Sequence, residues 1–196
     1  MRNLLLLFFL QITFSYSQNT DDKLKALNLH NEVRSDVGTT PLVWSDKLEK
    51  DALKYAKVLA RTNNFKHSNT RNGENLTTFL EWKEVQGIRK YIYSPTPLYD
   101  ASLGWYEEIS DYRYSKVRKF RLSAKKVGHY TQMVWKGAEQ VGIASAISKD
   151  GNVYVVARYY PAGNIIGQFP YWFNLKNILW NTKQKKSLTL AGLNFD

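Results

Sequence analysis

Histidine occurs three times in this chain of 196 residues and cysteine not at all. Imidazole is the side chain best suited to hold a metal or move a proton near neutral pH, so such chemistry has few places to occur. The absence of cysteine removes thiol nucleophiles, thiolate metal sites and disulfides together. The first candidate is His129, in the aromatic and polar stretch Gly-His-Tyr-Thr-Gln-Met-Val-Trp from Gly128 to Trp135. The second is His67, which with Ser68 precedes Gly73-Glu74-Asn75-Leu76 in a polar, turn-rich stretch that puts His67 and Glu74 on a loop or at its edge. A further carboxylate, Glu108, falls at the edge of an apolar helical stripe, where it can point into a cleft, whereas its neighbour Glu107 points further toward solvent. Hydrolysis has little support, since neither His-Glu-x-x-His nor Gly-x-Ser-x-Gly is present. Ser68 beside a histidine in sequence says nothing of geometry.

These segments, together with Leu27-Asn28-Leu29-His30-Asn31-Glu32-Val33-Arg34, Pro41-Leu42-Val43-Trp44 and Ala157-Arg158-Tyr159-Tyr160-Pro161-Ala162-Gly163-Asn164, resemble the signatures of the CAP superfamily of cysteine-rich secretory, antigen 5 and pathogenesis-related proteins. The resemblance runs from about Leu24 to Asn174, with several motifs in the family's order. It implies an α/β fold, a three-layer α/β/α sandwich around a central, mostly antiparallel sheet. It also implies that His67, Glu74, Glu108 and His129 line one cleft. In such a cleft two neutral imidazoles can ligate zinc or another divalent cation weakly, with carboxylates completing the shell through water or orienting the imidazole N–H groups. The alternative is a polar network in which each histidine is satisfied by a glutamate, with no metal. Most secreted members of the family are rich in cysteine. This chain has none, and its Ala157 to Asn164 segment looks closer to the cysteine-poor, Golgi-associated plant pathogenesis-related branch.

The elements that must position these residues follow from periodicity. Thr20 to Val37 reads as a helix stopped by Gly38, and Ser45 caps a stronger one whose Leu48, Ala52, Tyr55, Ala56 and Leu59 share a face. Leu98 to Tyr112 predicts a helix with Leu98, Ala101, Trp105, Ile109 and Tyr112 on one stripe. The His129 stretch suits a short helix or a strand, and the resemblance favours the helix. Gln140 to Ile147 and Asn152 to Tyr160 alternate around Lys149-Asp150-Gly151 and predict a β-hairpin. Phe79 to Pro97 is longer than the family's link and reads as an inserted, partly ordered loop near the cleft. Trp44, Trp105 and Trp135 are expected in the core.

Residues 1–17 combine Arg2, an apolar run of Leu and Phe, and Ser15-Tyr16-Ser17, which reads as a signal peptide and predicts a secreted, extracellular protein. The domain is expected over 20–175, followed by a basic, weakly ordered tail over 176–196. Asn75-Leu76-Thr77 is a glycosylation sequon expected to stay empty beside the site. The formal charge of +11, falling to +10 without Arg2, favours acidic partners. The segment Arg113 to Lys126 carries seven cations, Arg113, Lys116, Arg118, Lys119, Arg121, Lys125 and Lys126, and no acid. It is the expected contact for an anionic membrane surface or an acidic glycan, and the family adds a lipid or sterol as ligand. No nucleic acid is expected. Binding rather than turnover is the expected role. The competing classes are a metal-dependent hydrolase or protease and an extracellular defence or signalling protein acting through its surface.

Overall fold

The computed structural model describes residues 20–118 and 126–172. The expected signal peptide, the C-terminal tail and the centre of the basic segment lie outside the described residues. Helix α1 covers residues 20–36, followed by β1 (Val43–Trp44), α2 (Asp46–Thr62), β2 (Gly73–Phe79), β3 (Glu81–Val85), β4 (Ile88–Ile92), α3 (Pro97–Glu107), α4 (Gly128–Met133), β5 (Gln140–Ile147) and β6 (Val153–Tyr160). A 3-10 turn, Glu108–Ser110, continues α3.

One four-stranded sheet runs in the order β1-β5-β6-β2, parallel only between β1 and β5. Both faces of the sheet are covered, so the central strand β6 is buried continuously from Val153 to Tyr159, with successive side chains pointing into opposite layers. Val153, Val155, Ala157 and Tyr159 of β6 join Val141 and Ile143 of β5 against Ala26 of α1, Leu98, Ala101 and Trp105 of α3, and Met133 and Trp135. The opposite-facing Tyr154 and Val156 join Ala144, Leu76 and the Ala52, Ala56, Leu59 and Ala60 face of α2. This is the expected α/β/α sandwich with a mostly antiparallel sheet. Trp105 and Trp135 are buried in it, while Trp44 is partly buried and donates its indole N–H to Glu49 Oε2 at 2.9 Å.

Helix α2 starts where its cap predicts, the Ser45 hydroxyl accepting from the Leu48 N–H at 3.4 Å. It lies close on β5 because position 142 is glycine. A Cβ there would stand 2.2 Å from the Glu49 nitrogen and 2.6 Å from the Leu48 carbonyl carbon. Gly142→Ala is therefore expected to push α2 off the sheet and cost about 2 to 3 kcal/mol, read as a lowered midpoint in urea unfolding. An unchanged midpoint would mean that this contact relaxes freely.

Residues 79–97 differ from the expected inserted, partly ordered loop. They contain a regular hairpin in register from Glu81 opposite Ile92 to Val85 opposite Ile88. Two strands alone are marginal in water, and this pair is docked on the main sheet. The ring of Tyr91 lies 2.4 Å from where a Cβ on Gly151, in the β5–β6 turn, would stand. The hairpin also leaves the sheet at the Phe79 end of β2, opposite Val153, whereas Glu74 lies opposite Arg158 near the other end. At about 3.4 Å per residue, roughly 17 Å of strand separates Phe79 from Glu74, so the insert does not flank the site.

Candidate functional site

The site residues come from four places: His67 from the loop after α2, Glu74 from the start of β2, Glu108 from the 3-10 turn and His129 from the first turn of α4. The structure brings them together as two pairs. In the first, His67 Nδ1 donates to Glu74 Oε1 at 2.5 Å. In the second, His129 Nδ1 donates to Glu108 Oε1 at 2.7 Å, and Glu108 Oε2 accepts the backbone N–H groups of His129 at 2.8 Å and Tyr130 at 3.1 Å. Val127 gives α4 no side-chain cap, so Glu108 satisfies two of its free N–H groups from another element. This is why a helix of only six residues can hold His129 at a fixed angle.

Strand parity sends Glu74 and its neighbour Asn75 to opposite faces of the sheet. Glu74, with Leu76 and its partner Arg158, faces the α2 side of the sheet, and Asn75 faces the other, where its Nδ2 donates to the His129 carbonyl at 3.1 Å and to Tyr159 Oη at 3.2 Å. Asn75 thus joins the strand that carries Glu74 to the turn that carries His129. It is 1 % exposed with both amide hydrogens engaged, which leaves no room for a glycan in the folded protein. Among the described residues, no group of three or more His, Cys, Asp and Glu side chains is gathered closely enough to hold a metal ion.

Several partners of the site have no signal of their own in the motifs. Ser68 donates to Glu74 twice, from its N–H at 3.0 Å to Oε1 and from its hydroxyl at 2.5 Å to Oε2. Its proton is thereby committed to the carboxylate, and it accepts from Arg158 Nη1 at 2.9 Å. Arg158 also pairs with Glu74 Oε2 and lies 2.8 Å from Asp51 Oδ2. A buried arginine within the apolar run of β6 is the one sequence signal that could have pointed here. Behind Asn75, Tyr159 donates to Nε2 of His30, whose Nδ1 donates to the Ala26 carbonyl at 2.8 Å, so the third histidine is a fully satisfied core residue.

The electrostatics follow these contacts. Burial by itself would raise the Glu74 carboxyl, but hydrogen bonds from His67 and Ser68 and the Arg158 charge hold it below its usual value. The hydrogen bond to Glu74 raises the His67 imidazole, against the opposing effects of partial burial and Arg158. Both histidines use Nδ1 toward a carboxylate, and among the described residues no hydrogen bond engages Nε2 of either. The His67 side chain is 65 % exposed and that of His129 29 %, so solvent ions reach them.

The described start of the basic segment packs differently. Val117 exchanges backbone hydrogen bonds with Gln168 and Gly167, and Tyr114 stacks on Phe169 at 4.7 Å. Tyr114, Lys116, Val117, Arg118, Ile166 and Phe169 line a cavity of about 560 Å³.

A sequence model of CAP, the cysteine-rich secretory protein family, matches residues 27–159. The chain belongs to the CAP family. Its relatives include pathogenesis-related protein 1C of Nicotiana tabacum, 34 % identical over 167 residues that cover 85 % of this chain and 90 % of the relative. Another is pathogenesis-related protein PRMS of Zea mays, 32 % identical over 161 residues covering 80 % and 86 %. The Golgi-associated plant pathogenesis-related protein 1 of Homo sapiens is 31 % identical over 144 residues covering 74 % and 85 %. Among solved structures, that of NaASP2 with Zn2+ superposes with a TM-score of 0.62 at 26 % identity, covering 77 % of this chain and 85 % of that one. The CAP fold expected from the motifs is therefore the fold found, and within the family the chain is similar to proteins of the pathogenesis-related, defence type.

Proposed function

We propose that this CAP protein acts outside the cell as a defence-type binding protein, and that its site takes a divalent cation such as zinc weakly and reversibly. The observation that carries the metal reading is that both His67 and His129 give Nδ1 to a carboxylate and keep Nε2 for another partner. Metal-ligating histidines are oriented and made more basic in this way. The donor chemistry fits an ion on two imidazoles, with water in the remaining positions. Glu74 and Glu108 then stand behind the ligands, each carboxylate already engaged by its own donors, and the small number of protein ligands supports weak occupancy. A relative of the same fold has been solved with zinc, which supports the choice of ion. A bound ion would supply a positive centre for an anionic group of a ligand, while the residues themselves only hold and orient. A lipid ligand has a smaller basis, the partly apolar cavity lined by Tyr114, Ile166 and Phe169.

Zinc titration by calorimetry tests the reading. The wild-type protein is expected to bind about one equivalent, and His67→Ala and His129→Ala each to lose at least about tenfold in affinity. Because a ligating imidazole must be neutral and the His67 value is raised by Glu74, affinity is expected to start falling on acidification while the pH is still above the ordinary histidine range. Absence of heat with wild-type protein, or binding that both alanine variants keep, makes the two pairs a purely structural network.

A further inference from the structure

We propose that the solvent face of α2 is a docking rail for a linear sulfated polysaccharide. Lys47, Lys50, Lys54, Lys57 and Arg61 follow one another at alternating steps of three and four residues, and all five are exposed. At about 100° per residue they fall within an arc of roughly 80°. The arc lies opposite the buried Leu48, Ala52, Ala56 and Leu59. Among the described residues none of the five forms an ion pair. The acids of α2 are occupied elsewhere. Glu49 pairs with Lys23 at 2.6 Å, Asp51 lies against Arg158, and Asp46 sits in the first turn, where the helix dipole favours it.

A solvated helix face normally mixes signs, because opposite charges at these steps support the helix and like charges weaken it. This face sets four successive like-charge steps in a row, with no ion pair among the described residues to offset them. A local rule broken without internal compensation points to an external partner. The rail is about 21 Å long at 1.5 Å per residue. At its C-terminal end it opens into a cavity of about 420 Å³ where Lys149 joins Lys57 and Arg61. Asp150 also lines this cavity, and its carboxylate accepts from Asn63 Nδ2 at 2.5 Å.

The shape and chemistry select the occupant. A straight, narrow row of cations matches a linear polyanion. The rail carries no aromatic side chain on which a base could stack, as single-stranded nucleic acid binding requires. The apolar lining of the end cavity is Ile147 with Ala60 and Ala146, too little to enter a bilayer. Sulfate esters on a hydrophilic chain need only the charges that are present.

The test is calorimetric titration of the full chain with a heparin octasaccharide over a range of salt concentrations. Lys50→Gln/Lys54→Gln/Lys57→Gln/Arg61→Gln is expected to weaken binding by about tenfold or more and to flatten its salt dependence. Lys116→Gln/Arg118→Gln, on another surface, is expected to stay within about twofold. Lys54→Glu alone, which turns two like-charge steps into opposite-charge ones, is expected to weaken binding while raising the thermal midpoint, a combination that misfolding cannot produce. The proposal is overturned if the fourfold variant binds like wild type or if chemically desulfated heparin binds as well. Tighter binding of duplex DNA or phosphatidylserine vesicles, with the same loss in the fourfold variant, would replace the polysaccharide with that partner.

Discussion

Arg34→Met is expected to destabilise the protein by about 4 to 5 kcal/mol, enough to unfold much of it if its stability is in the usual range of roughly 5–15 kcal/mol. The Arg34 side chain comes from the middle of α1 and is 0 % exposed. Among the described residues no carboxylate pairs with it. Its guanidinium donates to the carbonyl of Thr40 at 2.6 Å, to those of Met133 and Trp135 at 2.9 Å, and to that of Ala138 at 2.8 Å. The planar fork of N–H groups suits this task, because it reaches two chain segments at once. Those segments are the approach to β1 and the turn between α4 and β5. Burial lowers the Arg34 value to about 10, so the cation persists at neutral pH and the four carbonyl dipoles stabilise it. Methionine would fill most of the volume but leave the carbonyls of Thr40, Met133 and Ala138 without their donor, each costing about 1 to 3 kcal/mol if water cannot reach it, while that of Trp135 keeps the Ala138 N–H at 3.0 Å. Lysine keeps the charge and loses the fork, so Arg34→Lys is expected to fall in between, near 2 to 3 kcal/mol. Urea unfolding of the three proteins checks the order. A loss below about 2 kcal/mol for methionine would mean that water replaces the guanidinium.

His30, one turn earlier on the same helix, is expected to make the fold sensitive to acid by about 3 kcal/mol. Burial depresses its value from 6.5 to about 4, with the Arg34 charge acting in the same direction. The unfolded chain therefore takes up this proton near pH 6.5 and the folded protein only near pH 4. Acidification through that window favours unfolding at about 1.4 kcal/mol per unit. The contribution is complete above pH 6.5, and below about 4 no more is lost. Three of the described groups act in the opposite sense, one of them Asp22, raised chiefly by burial. Asp36, raised to about 6 chiefly by burial, and His67, raised chiefly by its hydrogen bond to Glu74, both gain protons more readily in the folded state. The comparison must therefore be between wild type and His30→Gln, which keeps an acceptor for Tyr159 but does not titrate. Unfolding free energies at pH 7 and pH 4 are expected to fall about 3 kcal/mol further in wild type than in the variant. Equal losses would place the acid sensitivity elsewhere.

How much of this was legible in the sequence differs by element for physical reasons. Helix α2 was readable because its cap and its apolar face are both local. The β5–β6 pair was readable because alternation and the glycine turn agree. The β3–β4 hairpin was hidden because its turn, Gln86-Gly87, has positive φ at both residues, 54° and 75°, where asparagine is the usual first residue. Its register also places Lys83 opposite Lys90, a like-charge pair that masks the favourable Glu84–Arg89 and Val85–Ile88 pairs beside it. The site was half legible. Its histidines and glutamates could be named from the motifs, and Glu108 could be placed at a helix edge. A network with each histidine satisfied by a glutamate could be stated as an alternative, but the face of the sheet that Glu74 takes could not be seen, because it depends on the pairing of β2 with β6. The same pairing hid Arg158 and Asn75, whose roles exist only once the sheet has formed.

The start of α3 has a comparable dependence with a kinetic result. Thr96 makes no capping hydrogen bond there, and the free N–H groups of Leu98 and Tyr99 are taken instead by Asp22 of α1, at 3.0 and 2.9 Å. That carboxylate lies 76 residues away from Leu98 along the chain, so its loop must close before α3 gains its cap. Helix α3 is thus expected to gain its full stability late in refolding, together with the docking of α1, and Glu108, which follows directly on α3, is fixed only in that late step.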